Sequence, residues 1–138
     1  MNRNGWAALV ATIVVLVVVI LGFWSLGGPG TQRLVQTDLH AVRALSSLAQ
    51  KINQAWLSSG RTLPANLESV SDSLKRDSIT GQIFGYRPGP NDEYELCANF
   101  ATNSENLQGP NSDRWAHPKG DYCFKFDAST PVPFVPYY

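Results

Sequence analysis

Apolar and polar positions in this chain fall into blocks before they alternate. From Trp6 to Leu26 only Thr12, Gly22 and Ser25 lie outside the apolar set, and no charge occurs between Arg3 and Arg33. As a helix rising 1.5 Å per residue, that stretch is roughly 30 Å long, the thickness of a bilayer's hydrocarbon core. Trp6 and Trp24 would stand about 27 Å apart on it, at the two depths where interfacial indoles collect. The pattern predicts one transmembrane helix with Trp6 and Trp24 as its membrane-interface anchors. A cleaved signal peptide also begins with a basic residue and an apolar run. Its apolar core is shorter, however, and neither a clean small-x-small cleavage pattern nor a lipid-accepting cysteine follows here. Within the span, Ala7 and Ala11, or Ala8 and Thr12, have the small-xxx-small spacing that admits a neighbouring helix, although alanine and valine also simply fill a lipid-facing surface.

Gly27-Gly28-Pro29-Gly30 then disfavours helix through backbone entropy and a missing donor, so residues 27–30 are expected to form a hinge. From Thr31, a candidate N-cap, apolar residues recur at Val35, Leu39, Val42, Leu45, Ala49, Ile52 and Trp56, the three-and-four spacing of one helical face. Arg33, Asp38, Arg43 and Lys51 are assigned to the solvated face. This amphipathic spine should stop before Gly60, a residue suited to a left-handed C-terminal position. Leu63-Pro64 is read as opening a second short helix, with Leu67, Val70 and Leu74 on its apolar side.

The period then changes to two. Residues 83–87 read as a strand, Pro88-Gly89-Pro90-Asn91-Asp92 as a turn and residues 93–100 as the antiparallel partner, with Tyr94, Leu96, Ala98 and Phe100 on one face. Residues 121–127 repeat the alternation through Tyr122, Phe124 and Phe126. A long amphipathic helix beside three short strands gives an α+β fold with a small three-stranded antiparallel sheet, its aromatic face covering the helix stripe. Residues 101–120 are expected to form a long surface loop with Trp115 as its apolar anchor. The chain closes with a proline-spaced tail carrying Phe134, Tyr137 and Tyr138. Those three aromatics and Trp115 are assigned to partner binding, and cutting the chain after Asp127 is expected to leave the domain folded. The organisation is a cytoplasmic N-terminus (1–5), a transmembrane helix (6–26), a hinge (27–30), an extracytoplasmic domain (31–127) and an extended tail (128–138).

Composition narrows the function. Eleven basic and eleven acidic side chains give formal net charge zero, so no overall positive field recruits nucleic acid. Cys97 and Cys123 fall on the non-aromatic face of their strands, in equivalent phase. Their separation suits a disulfide clamping the intervening loop and is wrong for a Cys-x-x-Cys redox pair. A bridge implies an oxidising compartment, which an N-in, C-out anchor supplies, as does the weak positive-inside signal of Arg3. The expected location is therefore a bacterial inner membrane, with the domain in the periplasm.

Catalytic chemistry is not legible. His40 and His117 have no nucleophile or zinc-ligand spacing around them and are read as surface residues. Asp92, Glu93 and Glu95 are explained by a turn and a solvated strand face, with Glu95 facing Lys125. Asn103, Glu105, Asn111 and Asp113 supply oxygens that suit calcium, but without an EF-hand register a solvated loop explains them better. No phosphate loop, nucleophile elbow or haem motif occurs. The expectation is a protein that is not an enzyme and carries no cofactor, with the membrane and other membrane-protein subunits as its partners and no small-molecule ligand.

Asp77-Ser78-Ile79-Thr80-Gly81-Gln82, leading into Phe84-Gly85-Tyr86 and followed by Tyr94-Glu95-Leu96-Cys97-Ala98, resembles a type IV pilin-like or type II secretion major-pseudopilin-like domain. The resemblance spans most of the chain through its order of elements, and is specific over residues 77–100. It implies a pilin-like fold and, as one function, a subunit of a secretion or pilus machine. Such proteins carry a glutamate at the fifth position after a processing site. Here Gly5 precedes Trp6, the corresponding position is Val10, and no acid occurs before Asp38. The expected protein is a pilin-like domain on an ordinary signal anchor, serving as a structural or accessory subunit of a larger membrane complex. An energy-transducing complex, respiratory or photosynthetic, is one such host.

Overall fold

The computed structural model describes residues 3–25, 29–70, 75–104, 112–133 and 135. It divides into two compact units, Met1–Arg33 and Leu34–Tyr138. In the first, helix α1 spans Arg3–Ser25. Residues Gly5–Trp24 are long and apolar enough to cross a membrane, and none of that window is buried. Helix α2, Pro29–Ser58, starts two residues before the expected N-cap at Thr31. Pro29 stands at the first helical position, where its fixed φ and lost N–H carry no penalty, so Pro29 and Gly30 of the expected hinge are helical, and Gly27 and Gly28 lie outside the described residues.

The second unit is built on α2. Leu39, Ala41, Val42, Leu45, Leu48, Ala49, Ile52 and Trp56 form its buried stripe, which confirms the expected face and adds Ala41 and Leu48. Val35, the first member of the expected stripe, is exposed instead. The helix closes as anticipated. Gly60 takes φ +74°, and the Arg61 amide reaches back to the Trp56 carbonyl at 2.9 Å, the six-to-one bond of a Schellman motif. Arg61 itself has a positive φ, and its guanidinium lies 5.9 Å from the Trp56 ring. The short helix expected from Leu63-Pro64 is a single 3₁₀ turn, Leu67–Ser69, because Asn66 caps it by accepting the Ser69 amide. Leu74 lies outside the described residues.

Strands β1 (Gly85–Pro88), β2 (Glu93–Phe100) and β3 (Gly120–Asp127) form one antiparallel sheet in that order. Ile83 is not part of β1; it makes an isolated bridge to Arg76. The turn between β1 and β2 places Asn91 and Asp92 at φ +56° and +63°, a conformation these two residue types tolerate better than others. Tyr94, Leu96, Ala98, Phe100 and Phe124 are buried, and Tyr86, Tyr122 and Phe126 pack against them, so the aromatic face meets the helix stripe. The order of one amphipathic helix and a three-stranded antiparallel sheet is the α+β fold that the periodicity predicts.

Two expectations about the C-terminal part are corrected. Trp115 lies on a 3₁₀ turn, Ser112–Trp115, and is only 1% exposed, its ring edge-on to Phe124 at 5.2 Å and tilted on Phe126 at 5.7 Å. It fills the domain's own core, so it is not a partner-binding surface. The tail also begins inside the domain. Ala128 and Val135 are buried, Val132 packs against the core, and the Asn53 side chain donates to the Thr130 carbonyl at 2.9 Å. Removing everything after Asp127 would take apolar area out of the core, contrary to the expectation that the domain would be indifferent to it.

Candidate functional site

Among the described residues of the first unit, the apolar surface of α1 is exposed along its length. Trp6 and Trp24 are well exposed, as are Leu9, Val10 and the aliphatic run from Ile13 to Leu21. The hydroxyl of Thr12 donates to the Ala8 carbonyl at 2.9 Å, so the polar side chain in mid-span is satisfied within its own helix, as an apolar solvent requires.

In the second unit the expected disulfide is present. Cys97 and Cys123 are directly opposite on β2 and β3, with S–S 2.03 Å and Cα–Cα 3.9 Å. Gly85 lies opposite Cys97 on the other side, and a Cβ there would approach Cys97 Cβ to 3.1 Å. The glycine of Phe84-Gly85-Tyr86 thus makes room for the bridge. Glu95 lies near both sulfurs, but the oxidised pair offers no thiolate, so this group of potential ligands is not a metal site. Glu95 instead faces Lys125 as expected, at 3.8 Å, and Arg87 at 3.9 Å. All three are exposed enough for water to screen them, which makes the pairs worth little to stability.

Two of the buried polar groups, Asp38 and His117, are ones that the sequence pattern assigns to the surface. Asp38, assigned to the solvated face of α2, is 4% exposed. Its Oδ1 accepts the Ala101 amide at 2.8 Å, and its Oδ2 accepts the Thr102 amide at 2.7 Å and the Thr102 hydroxyl at 2.6 Å. His117 is buried and stacks on Phe100 with centroids 3.7 Å apart. Burial holds its pKa below the ordinary value, partly offset by the Pro118 carbonyl and by the charge of Asp38. Ser104 and His117 are tied by reciprocal backbone and hydroxyl bonds, which close the two ends of the β2–β3 loop on each other. His40 is half-buried, with Nδ1 unpaired among the described residues.

A second buried carboxylate, Asp77, shapes the segment behind the pilin-like resemblance. Its Oδ1 accepts the Ile79 and Thr80 amides at 2.7 and 2.9 Å, and its carbonyl accepts the Gly81 amide at 2.9 Å. Gly81 is at φ +71°, so Asp77-Ser78-Ile79-Thr80-Gly81 is a self-bonded Asx turn. Tyr94 donates to Asn53 Oδ1 at 2.7 Å, and burial raises the pKa of its phenol well above the ordinary value. These groups position chain segments; none pairs a nucleophile with a base.

Of the calcium candidates, Asn103 and Asp113 line a shallow cavity of about 510 Å³ with Ser104, Ser112 and His117. Asn103 Oδ1 already accepts the Lys119 amide at 2.7 Å. Glu105 and Asn111 lie outside the described residues, as do Phe134, Tyr137 and Tyr138. The position of Asp38 could have been found earlier: it sits three, four and seven residues before Ala41, Val42 and Leu45, on the buried face. His117 gave no such signal, because it lies in a loop without period. No family model, curated protein or solved structure matches the chain.

Proposed function

We propose that the chain is a non-enzymatic, single-pass membrane protein that serves as a structural or accessory subunit of a larger membrane complex. The observation that carries this reading is α1, whose Gly5–Trp24 window is apolar, uncharged and wholly unburied. Such a surface needs either lipid or other membrane helices. The second unit offers partners an ordered domain rather than a reaction centre, since its buried carboxylates and histidine hold its own loops. In this reading the N-terminus lies in the cytoplasm of a bacterium and the disulfide-bearing domain in the periplasm, where oxidising conditions preserve the bridge. A respiratory or photosynthetic assembly is one class of host.

The second reading is a pseudopilin-like subunit of a secretion or pilus machine. It is favoured by the order of apolar helix, spine helix and antiparallel sheet, and by the Asp77 turn leading into Phe84-Gly85-Tyr86. The two readings part at the N-terminus. Gentle detergent extraction from native membranes, followed by sizing and intact-mass measurement, tests both. The accessory reading expects the full-length chain to run with a large defined complex. A chain running alone and beginning at Trp6 sinks that reading and supports processing by a prepilin peptidase.

A further inference from the structure

We propose that β3 is a self-complementary edge through which two copies of this chain pair antiparallel about Cys123, joining two three-stranded sheets into one of six strands. β3 is an outer strand, paired only with β2. Cys97 and Cys123 have their Cα atoms 3.9 Å apart, the close spacing of a non-hydrogen-bonded antiparallel pair. The N–H and C=O of Cys123 therefore point away from β2, and so, by alternation, do those of Asp121 and Lys125. The neighbouring bonds agree in phase: Gly89 donates to the Glu93 carbonyl on one side of β2 and Ala128 to the Asp92 carbonyl on the other. Among the described residues nothing bonds the outward backbone groups of Asp121, Cys123 or Lys125. The ladder ends at Asp127, whose carbonyl already accepts the Thr130 amide at 3.1 Å.

Charge selects the occupant and the register. With Cys123 opposite Cys123 of the second copy, Asp121 meets Lys125 twice, and each of these pairs exchanges both of its N–H···O bonds. Shifting the register by two residues sets Asp121 opposite Asp127, or Lys119 opposite Lys125. Shifting it by four in either direction sets Asp121 opposite Asp121, or Lys125 opposite Lys125. Parallel pairing in register would also oppose like charges. Asp121 and Lys125 are both exposed on the outer face. Across the joined sheet the charges alternate, Arg87, Glu95, Lys125 and then Asp121 of the second copy, extending the ion pairs already present. On the inner face Tyr122 would meet Phe124, apolar against apolar.

Charges on an edge strand can also serve only to keep strands apart, and the test separates the two roles. The full chain in detergent is followed by sedimentation, and amide exchange reads the strand itself, independently of any association of α1. Pairing predicts that the amides of Asp121, Cys123 and Lys125 are protected at high protein concentration and lose that protection on dilution. Those of Tyr122, Phe124 and Phe126 stay protected throughout by β2. Asp121→Lys and Lys125→Glu should each weaken self-pairing by about tenfold or more, whereas an equimolar mixture of the two variants should pair again, positive strand on negative strand. Unprotected amides at 121, 123 and 125 at every concentration would overturn the proposal, as would a mixture that associates no better than either variant alone.

Discussion

Asp38 is the most informative single position to perturb, because one carboxylate on α2 holds the point where β2 passes into the long loop. In Asp38→Ala the Ala101 and Thr102 amides lose their acceptor, while the Thr102 hydroxyl can turn elsewhere. Each orphaned, partly buried donor costs about 1 to 3 kcal/mol. Part of that is returned because the carboxylate no longer has to be desolvated, and water can reach the half-buried Ala101 and Thr102. The net expectation is a loss of about 2 to 3 kcal/mol, or about 10 °C or more in Tm for a unit of this size. Asp38→Asn keeps one oxygen in place and should lose about half as much. Thermal unfolding of the full chain, followed by near-ultraviolet circular dichroism, reads the domain. Amide exchange at 101 and 102 reads the contact. Faster exchange confined to those amides with Tm falling as stated fits the reasoning. An alanine variant within about 0.5 kcal/mol of the parent would refute it, since that is the ordinary scatter of surface substitutions.

Replacing both cysteines, Cys97→Ser with Cys123→Ser, frees a loop closed over a sequence separation of 26. The chain-entropy estimate for that closure is about 3.5 kcal/mol, to be checked by denaturant unfolding with and without reductant. His117 should give the domain a pH dependence of known sign. Its folded pKa lies below the ordinary 6.5, so the unfolded chain takes up a proton first as pH falls. Its contribution is thus full above about pH 6.5 and is lost as pH drops towards the folded pKa. A stability profile from pH 8 to pH 5 should slope downward on the acid side, and His117→Phe, which keeps the stack on Phe100, should flatten that part of the slope.

The periodic elements were legible because burial imposes a repeat. The alternation in residues 93–100 and 121–127 fixes which side chains enter the core, and the same alternation placed the two sulfurs opposite each other. At Asp38 charge and helical position point in opposite directions, the carboxylate to solvent and the spacing to the core, and position prevails. Its carboxylate is buried at a spacing that matches the apolar stripe, and what makes the burial affordable lies some sixty residues downstream at Ala101 and Thr102. Trp115 failed for the opposite reason. A large aromatic in an aperiodic loop carries no signal of the direction it faces, and here the loop folds back so that the indole closes the core over Phe124 and Phe126. The short helix after Leu63 was overtaken by a local competitor, the Asn66 cap, which starts the turn later.

Three distant segments are tied to one helix by separate polar contacts, and this explains how so small a sheet keeps its place. Near the start of its buried face α2 holds the exit of β2 through Asp38. Further along, Asn53 takes both the Tyr94 hydroxyl and the tail at Thr130. Near its end the Trp56 indole donates to Asp92 Oδ1 at 2.9 Å and fixes the tip of the hairpin. Apolar packing alone would let the sheet slide along the helix, because one leucine or alanine accepts another's neighbourhood at little cost. A hydrogen bond does not tolerate an ångström of slip. The stripe of α2 therefore supplies one side of the apolar core, and Asp38, Asn53 and Trp56 set the position at which the sheet packs on it. The outer face of the sheet, with its bridge and alternating charges, is in consequence presented in a fixed relation to α2.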